Sequence, residues 1–195
     1  MKYLISLLAT GVLLLGFAPN VQAQTEVSLL VANPIRRSID KIVSGFESRT
    51  GYKLKVTYGR GLGTRDQVAR GEQFDVSLLL PPYPEALASG NIDPKSDTTL
   101  ASLLLGIGVK KGAPKPDIST PDALKATLLA ANTIAFVDPT VGSDGFSTRI
   151  ALQKLGVLDQ LASKIKLSAT ASAAGEMVAR GGAELCIYYV NEMTN

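Results

Sequence analysis

Histidine is absent from the 195 residues, and cysteine occurs once, at Cys186. Without histidine the commonest general base is missing, and with it the Ser-His-Asp arrangement and most zinc sites. A single cysteine excludes an intramolecular disulfide and a cysteine metal cluster. Cys186 stands in the apolar run 185–190, where a buried, inert thiol is expected. No G-x-S-x-G occurs, so a nucleophile such as Ser143 has no recognisable base. The glycine turn at 59–63 is G-x-G-x-G, not the dinucleotide G-x-G-x-x-G. Excess charge is lacking too. Twenty basic residues against 17 acidic ones leave a net +3, which points to neither nucleic acid nor an anionic membrane surface.

What is present begins with an address. Lys2 supplies a positive start, 4–17 is an apolar run, and Val21-Gln22-Ala23 offers small residues before a cut at Gln24. That pattern predicts a cleavable secretory signal peptide over 1–23, because the run is too short and wrongly flanked for a membrane span. No cysteine follows the cut, so a lipid anchor has no acceptor. The expected product is exported and periplasmic, with no membrane insertion after cleavage. Taking 23 from 195 leaves 172 residues, enough for one ordinary domain or two small lobes.

The chain then alternates strand and helix. The segment 26–32 (EVSLLVA) reads as a buried strand, and Asn33-Pro34 suits a helix start. Ile35, Ile39, Ile42, Val43 and Phe46 recur at helical spacing, predicting one buried stripe up to a stop at Gly51. A second strand over 54–58 completes a parallel strand–helix–strand unit. Further strands are predicted at 74–80, 100–110, 133–137, 166–168 and 184–190. Helices are predicted at 64–69, 83–88, 120–130, 158–163 and 171–179, and a further one is fed by the 138–146 turn and runs to about 155. The glycine-containing strand before 111–116 (KGAPKP) marks a place to leave one lobe for another. Lobes of 24–110 and 111–195 are therefore expected.

Three strand-to-helix turns, at 32–36, 58–64 and 138–146, recur together with a helix start at 170–172. The stretch 53–68 (KLKVTYGRGLGTRDQV) joins a strand, a glycine turn flanked by Arg60 and Arg65, and a helix N-terminus. Unpaired N–H groups and a partial positive charge at such a terminus suit a small anion. In open α/β sheets ligands collect at these turns. Whether the turns converge on one cleft, or merely follow the strands as in any α/β protein, is open at this level.

Taken together, LLVANPIRRSIDKIVSGFESRTG, GRGLGTRDQVARGEQFDVSLLL, VDPTVGSDGFSTRIALQKLGV and VARGGAELCIYY resemble the periplasmic substrate-binding proteins of ABC importers. The molybdate-binding type is the most similar, and the likeness covers 26–192. The resemblance implies an α/β, two-lobe type II periplasmic-binding-protein fold with parallel-rich sheets flanked by helices. It also implies an oxyanion held by backbone N–H groups, serine hydroxyls and a tyrosine. Tyr189 stands where the family has its ligand tyrosine, and Asp144, beside Ser143, and Ala171 fall where backbone N–H groups meet the anion. The family's two ligand serines are replaced. Asn33-Pro34 stands for an alanine-serine pair, and Arg60-Gly61-Leu62 for a serine run, with Gly61 at the second serine. Arg60 then reads either as a fixed charge for a carboxylate, phosphate or sulfonate or as a solvated turn residue. Tyr189 reads as a ligand donor or as a core tyrosine at a strand end. The family's chains continue past the segment equivalent to YVNEMTN. A C-terminally truncated form, with an uncovered sheet face and low stability or association, is therefore the expectation.

These readings combine into a binding protein, not an enzyme, with no cofactor and no metal. It would take a small anion, molybdate- or tungstate-like or a carboxylate, between two lobes and present it to an inner-membrane ABC permease. The alternatives are a ligand-sensing accessory protein on the same fold and, more distantly, an exported hydrolase.

Overall fold

The computed structural model describes residues 25–59 and 62–193; the expected signal peptide, Arg60 and Gly61 lie outside the described residues. Two sheets organise the chain. The first holds β1 (Glu26–Ala32), β2 (Lys53–Gly59) and β3 (Val76–Leu78) in the order β2-β1-β3, with both pairings parallel. A 3-10 turn, Asn33–Ile35, leads from β1 into α1 (Arg36–Thr50). Proline at the start of the turn costs no hydrogen bond, because N–H groups there have no helical partner anyway. Gly51, with φ 75°, ends α1 in a left-handed cap. The helices α2 (Gly63–Ala69) and α3 (Pro84–Ala88) follow β2 and β3.

The second sheet holds β4 (Leu105–Val109), β5 (Ile134–Val137), β6 (Ile165–Ser168) and β7 (Leu185–Tyr189), in the order β4-β7-β5-β6. β5 runs parallel to β6 and β7, and β4 runs antiparallel to β7. Its helices are α4 (Pro121–Ala130), α5 (Ser143–Lys154), α6 (Leu158–Leu161), α7 (Ala171–Ala179) and α8 (Val190–Met193). β5 is buried along its whole length. Ile134 and Phe136 face Leu128, Leu152, Val157, Leu161, Leu185 and Ile187, while Ala135 faces Ala174, Val178 and Cys186. A strand covered on both faces is apolar throughout, as IAFV is. The expected α/β architecture with parallel-rich sheets is what the chain adopts.

Four expectations differ in detail. The apolar segment 100–110 forms strand only from Leu105, because Leu105 pairs with Tyr189 and β7 turns into α8 at the next residue. Leu100 and Leu104 remain exposed. β4 lies in the second sheet, so that sheet takes in residues assigned by sequence to 24–110. Strand 74–80 contracts to Val76–Leu78, where Asp75 accepts from Ser28 N (2.7 Å) and Ser28 Oγ (2.6 Å) and anchors the strand to β1. Finally, the α1 stripe is not a buried one. No α1 residue is buried and Ile42 is 58% exposed, because a three-stranded sheet offers the helix a narrow platform.

Candidate ligand cleft

Parallel strands place all their carboxyl ends on one edge of a sheet. In the second sheet that edge carries the start of α5 after β5, the start of α7 after β6, and Tyr189 at the end of β7. In the first sheet it carries Asn33 after β1 and Gly59 after β2. The two edges are brought together by contacts between lobes. Asn191 Nδ2 donates to Pro34 O (2.6 Å), and α8 packs on the 33–35 turn. Arg65 of α2 lies 5.4 Å above the Phe146 ring of α5 and donates to Pro82 O. Arg65, half-buried, therefore bridges the two lobes. A groove of about 400 Å³ opens between Pro81-Pro82 and the α5 residues Phe146, Ser147, Ile150 and Lys154. A larger cavity, about 590 Å³, lies at the other edge of the second sheet among Lys110, Pro114, Thr127 and Glu184. It is remote from the helix starts and has no part in the cleft.

The start of α5 is the best-defined wall. Its N-cap is Gly142, which has no side chain to satisfy the first-turn N–H groups. Gly145 packs so closely on the end of β5 that a Cβ there would sit 1.9 Å from Val137 O. Close approach needs glycine at this point. Ser143 and Asp144 are 4% and 7% exposed. Asp144 Oδ1 accepts from Tyr189 N (3.1 Å), so its side chain is turned onto β7. Tyr189 is 4% exposed, and its hydroxyl pairs with Ser147 Oγ at 2.7 Å and donates to Ser143 O (3.3 Å). Burial pushes the phenol's pKa up, against the pull of Ser147. Tyr189 is thus a structural tie between β7 and α5 at the cleft edge. Ala171 begins α7, where Thr170 Oγ1 caps by accepting from Ala173 N (3.1 Å). In the first lobe Asn33 is exposed at the cleft edge. Tyr58, at the end of β2, donates its hydroxyl to Asp40 under the Arg36 guanidinium, 4.6 Å from the ring. Burial and that carboxylate push its pKa up to about 12.

Of the residues singled out from sequence, Ser143, Asp144 and Tyr189 meet in one cluster. Asn33 and Ala171 lie on the carboxyl edges, and Arg60 and Gly61 lie outside the described residues. Sequence reasoning missed Ser147, one turn beyond Ser143, and Glu192, three residues beyond Tyr189. Glu192 Oε2 is buried without a hydrogen-bond partner as a carboxylate, yet it lies within hydrogen-bonding reach of Asp144. Both observations are met when Glu192 carries a proton and donates it to Asp144. Burial first, then the Asp144 charge and hydrogen bond, push the Glu192 pKa up to about 8, opposed by Arg37. Thr148 Oγ1, one turn below Asp144 on α5, is also buried without a partner. Cys186 is buried, and burial pushes its thiol pKa up, as expected of an inert cysteine. Among the described residues no group of three or more His, Cys, Asp or Glu side chains is placed to hold a metal, and no helix is long and apolar enough to cross a membrane.

Two small sheets with their carboxyl edges turned toward one cleft define a two-lobe binding protein. Residues 27–195 match the bacterial extracellular solute-binding protein family, to which the chain belongs. A curated relative named aconitate isomerase, from Pseudomonas sp, is 32% identical over 95% of this chain and 73% of its own length. Among solved structures, the substrate-binding domain of a molybdenum ABC transporter from Clostridium difficile superposes with a TM-score of 0.69 at 16% identity. That match covers 88% of this chain and 74% of the other. The Azotobacter vinelandii periplasmic molybdate-binding protein does so at 0.62 and 20% identity, covering 84% and 71%. These likenesses identify the fold as the type II periplasmic-binding fold.

Proposed function

We propose that this solute-binding protein captures a small anion at the carboxyl edges of its two sheets, held chiefly by backbone N–H groups at the starts of α5 and α7. The observation that carries this reading is the α5 start, where uncapped N–H groups lie beside the buried Ser143 and the Tyr189–Ser147 pair. Preorganised donors at a helix start replace the water lost by an anion without any covalent step. A carboxylate is favoured over molybdate. Asn33-Pro34 and Gly61 lack the serine hydroxyls that serve the molybdate-binding type, and the 32% identical relative is named for a carboxylate. Export to the periplasm and delivery to a membrane permease belong to this reading, by the motion of two lobes closing on ligand.

One observation favours a second reading, a proton-transferring isomerase of an unsaturated polycarboxylate. It is the likeness to the aconitate isomerase together with a carboxyl group, Glu192, tuned toward neutrality at the cleft. One protein sample separates the two. Thermal shift against aconitate, citrate, phosphate, sulfate and molybdate should show stabilisation by a carboxylate above the others. NMR of the aconitate sample over hours should show no change of isomer for a binder, and interconversion of cis and trans forms for an isomerase. No stabilisation by any of the anions, with no turnover, would end both readings.

A further inference from the structure

Glu192 occupies a junction. It lies on α8, directly after β7, and meets Asp144 of α5 in its own lobe and the charge of Arg37 on α1 of the other. Asp144 has a reason to remain the charged member. It sits in the first turn of α5, where a helix favours negative charge, and accepts the Tyr189 N–H. Glu192 Oε2 is buried with no donor facing it, so as a carboxylate it would leave desolvated charge uncompensated beside a second carboxylate. Two ionised carboxyls would also oppose an anion arriving at the same helix start.

We propose that Asp144 and Glu192 share one proton, carried on Glu192, and that the protein binds this proton together with its anionic ligand. The coupling rests on the proposed anion site; the shared proton does not. Other groups facing Glu192 do not supply the same switch. β4 and the 33–35 turn, which pack on α8, carry no ionisable side chain. β7 brings Cys186, Tyr188 and Tyr189, whose pKa values burial pushes up, which favours their neutral forms. The charge of Arg37 partly offsets the pair. An anion at the start of α5 adds negative charge and so strengthens the hold on the Glu192 proton. The sign follows by linkage. Ligand affinity is highest while Glu192 is protonated and declines as pH rises through about 8, by up to tenfold per pH unit.

The test has a ligand-free arm and a ligand arm. In 13C-carboxyl NMR of the ligand-free protein, one glutamate should titrate near pH 8, and that signal should vanish in Glu192→Gln. Asp144→Asn, which keeps an oxygen for the Tyr189 N–H, should move the midpoint down. An ordinary midpoint for every glutamate overturns the shared proton whatever the ligand result. Calorimetry with trans-aconitate between pH 7 and 9.5, in buffers of different ionisation enthalpy, should show proton uptake and falling affinity in wild type. Glu192→Gln, permanently neutral, should bind with a flat pH profile. A flat wild-type profile, or an unchanged slope in Glu192→Gln, overturns the coupling. Absence of binding in both forms, with the pH 8 titration intact, removes the anion reading and the coupling while upholding the shared proton.

Discussion

At the scale of single residues, Tyr189 and Glu192 bear different relations to the sequence. Tyr189 was legible through the family resemblance, as the residue at the place of the ligand tyrosine. Whether it serves ligand or core was not, because that depends on Ser143 and Ser147, more than 40 residues earlier. Its hydroxyl is spent on those two partners. Tyr189→Phe should therefore lower stability by about 1 kcal/mol, read from the urea midpoint, since the hydrogen bond to the half-buried Ser147 is lost. An unchanged midpoint with weakened ligand binding would instead make the hydroxyl a ligand donor. Glu192 was illegible in principle. A glutamate in YVNEM reads as a solvated charge, and only the fold sets it beside Asp144. Asp144 turns its side chain onto the β7 backbone, a contact that local sequence does not carry.

At the scale of elements, local chemistry predicted starts better than extents. Thr120 and Thr170 cap α4 and α7 as their position before an apolar run suggests, and each accepts an N–H three residues on (3.1 Å). Strand length depends on partners that local pattern does not carry, which is why 100–110 shortened when β7 ended at Tyr189. The same dependence decides α5. Its seating on β5 is set by Gly145, where an added Cβ would meet Val137 O at 1.9 Å. Gly145→Ala should force α5 away from the strand end and destabilise the protein by about 3 kcal/mol, the range of an overpacked core. Because Ser143 and Asp144 travel with the helix, the carboxylate-induced thermal shift should shrink as well. Wild-type stability and wild-type shift in this variant would mean that α5 is not held where it lies.

At the scale of the molecule, the two lobes are unequally built. The second has a fully buried strand between helices, with Phe136, Ile134, Leu152 and Leu161 at its centre. The first rests on Leu30, Val68 and Ala86, with partly buried Phe74, Leu79, Tyr83 and Ile92 around them, and α1 contributes no buried residue. Burial of large apolar side chains is worth about 1.5–3 kcal/mol each, so the difference of several such residues outweighs the cross-lobe ties named above. The hydrogen bond from Asn191 to Pro34 and the Arg65–Phe146 contact join surfaces; they do not extend a core. Opening of the first lobe should then precede global unfolding. In native-state hydrogen exchange, amides of β5 and β7 should be the slowest, and those of α1 and β2 should exchange by a lower-energy opening. A bound anion that touches both lobes must slow α1 and β2 selectively, because it removes the opening that exposes them. Equal protection of β2 and β5 without ligand would show that the two lobes unfold as one unit, and the binding energy could not then act by ordering the first lobe.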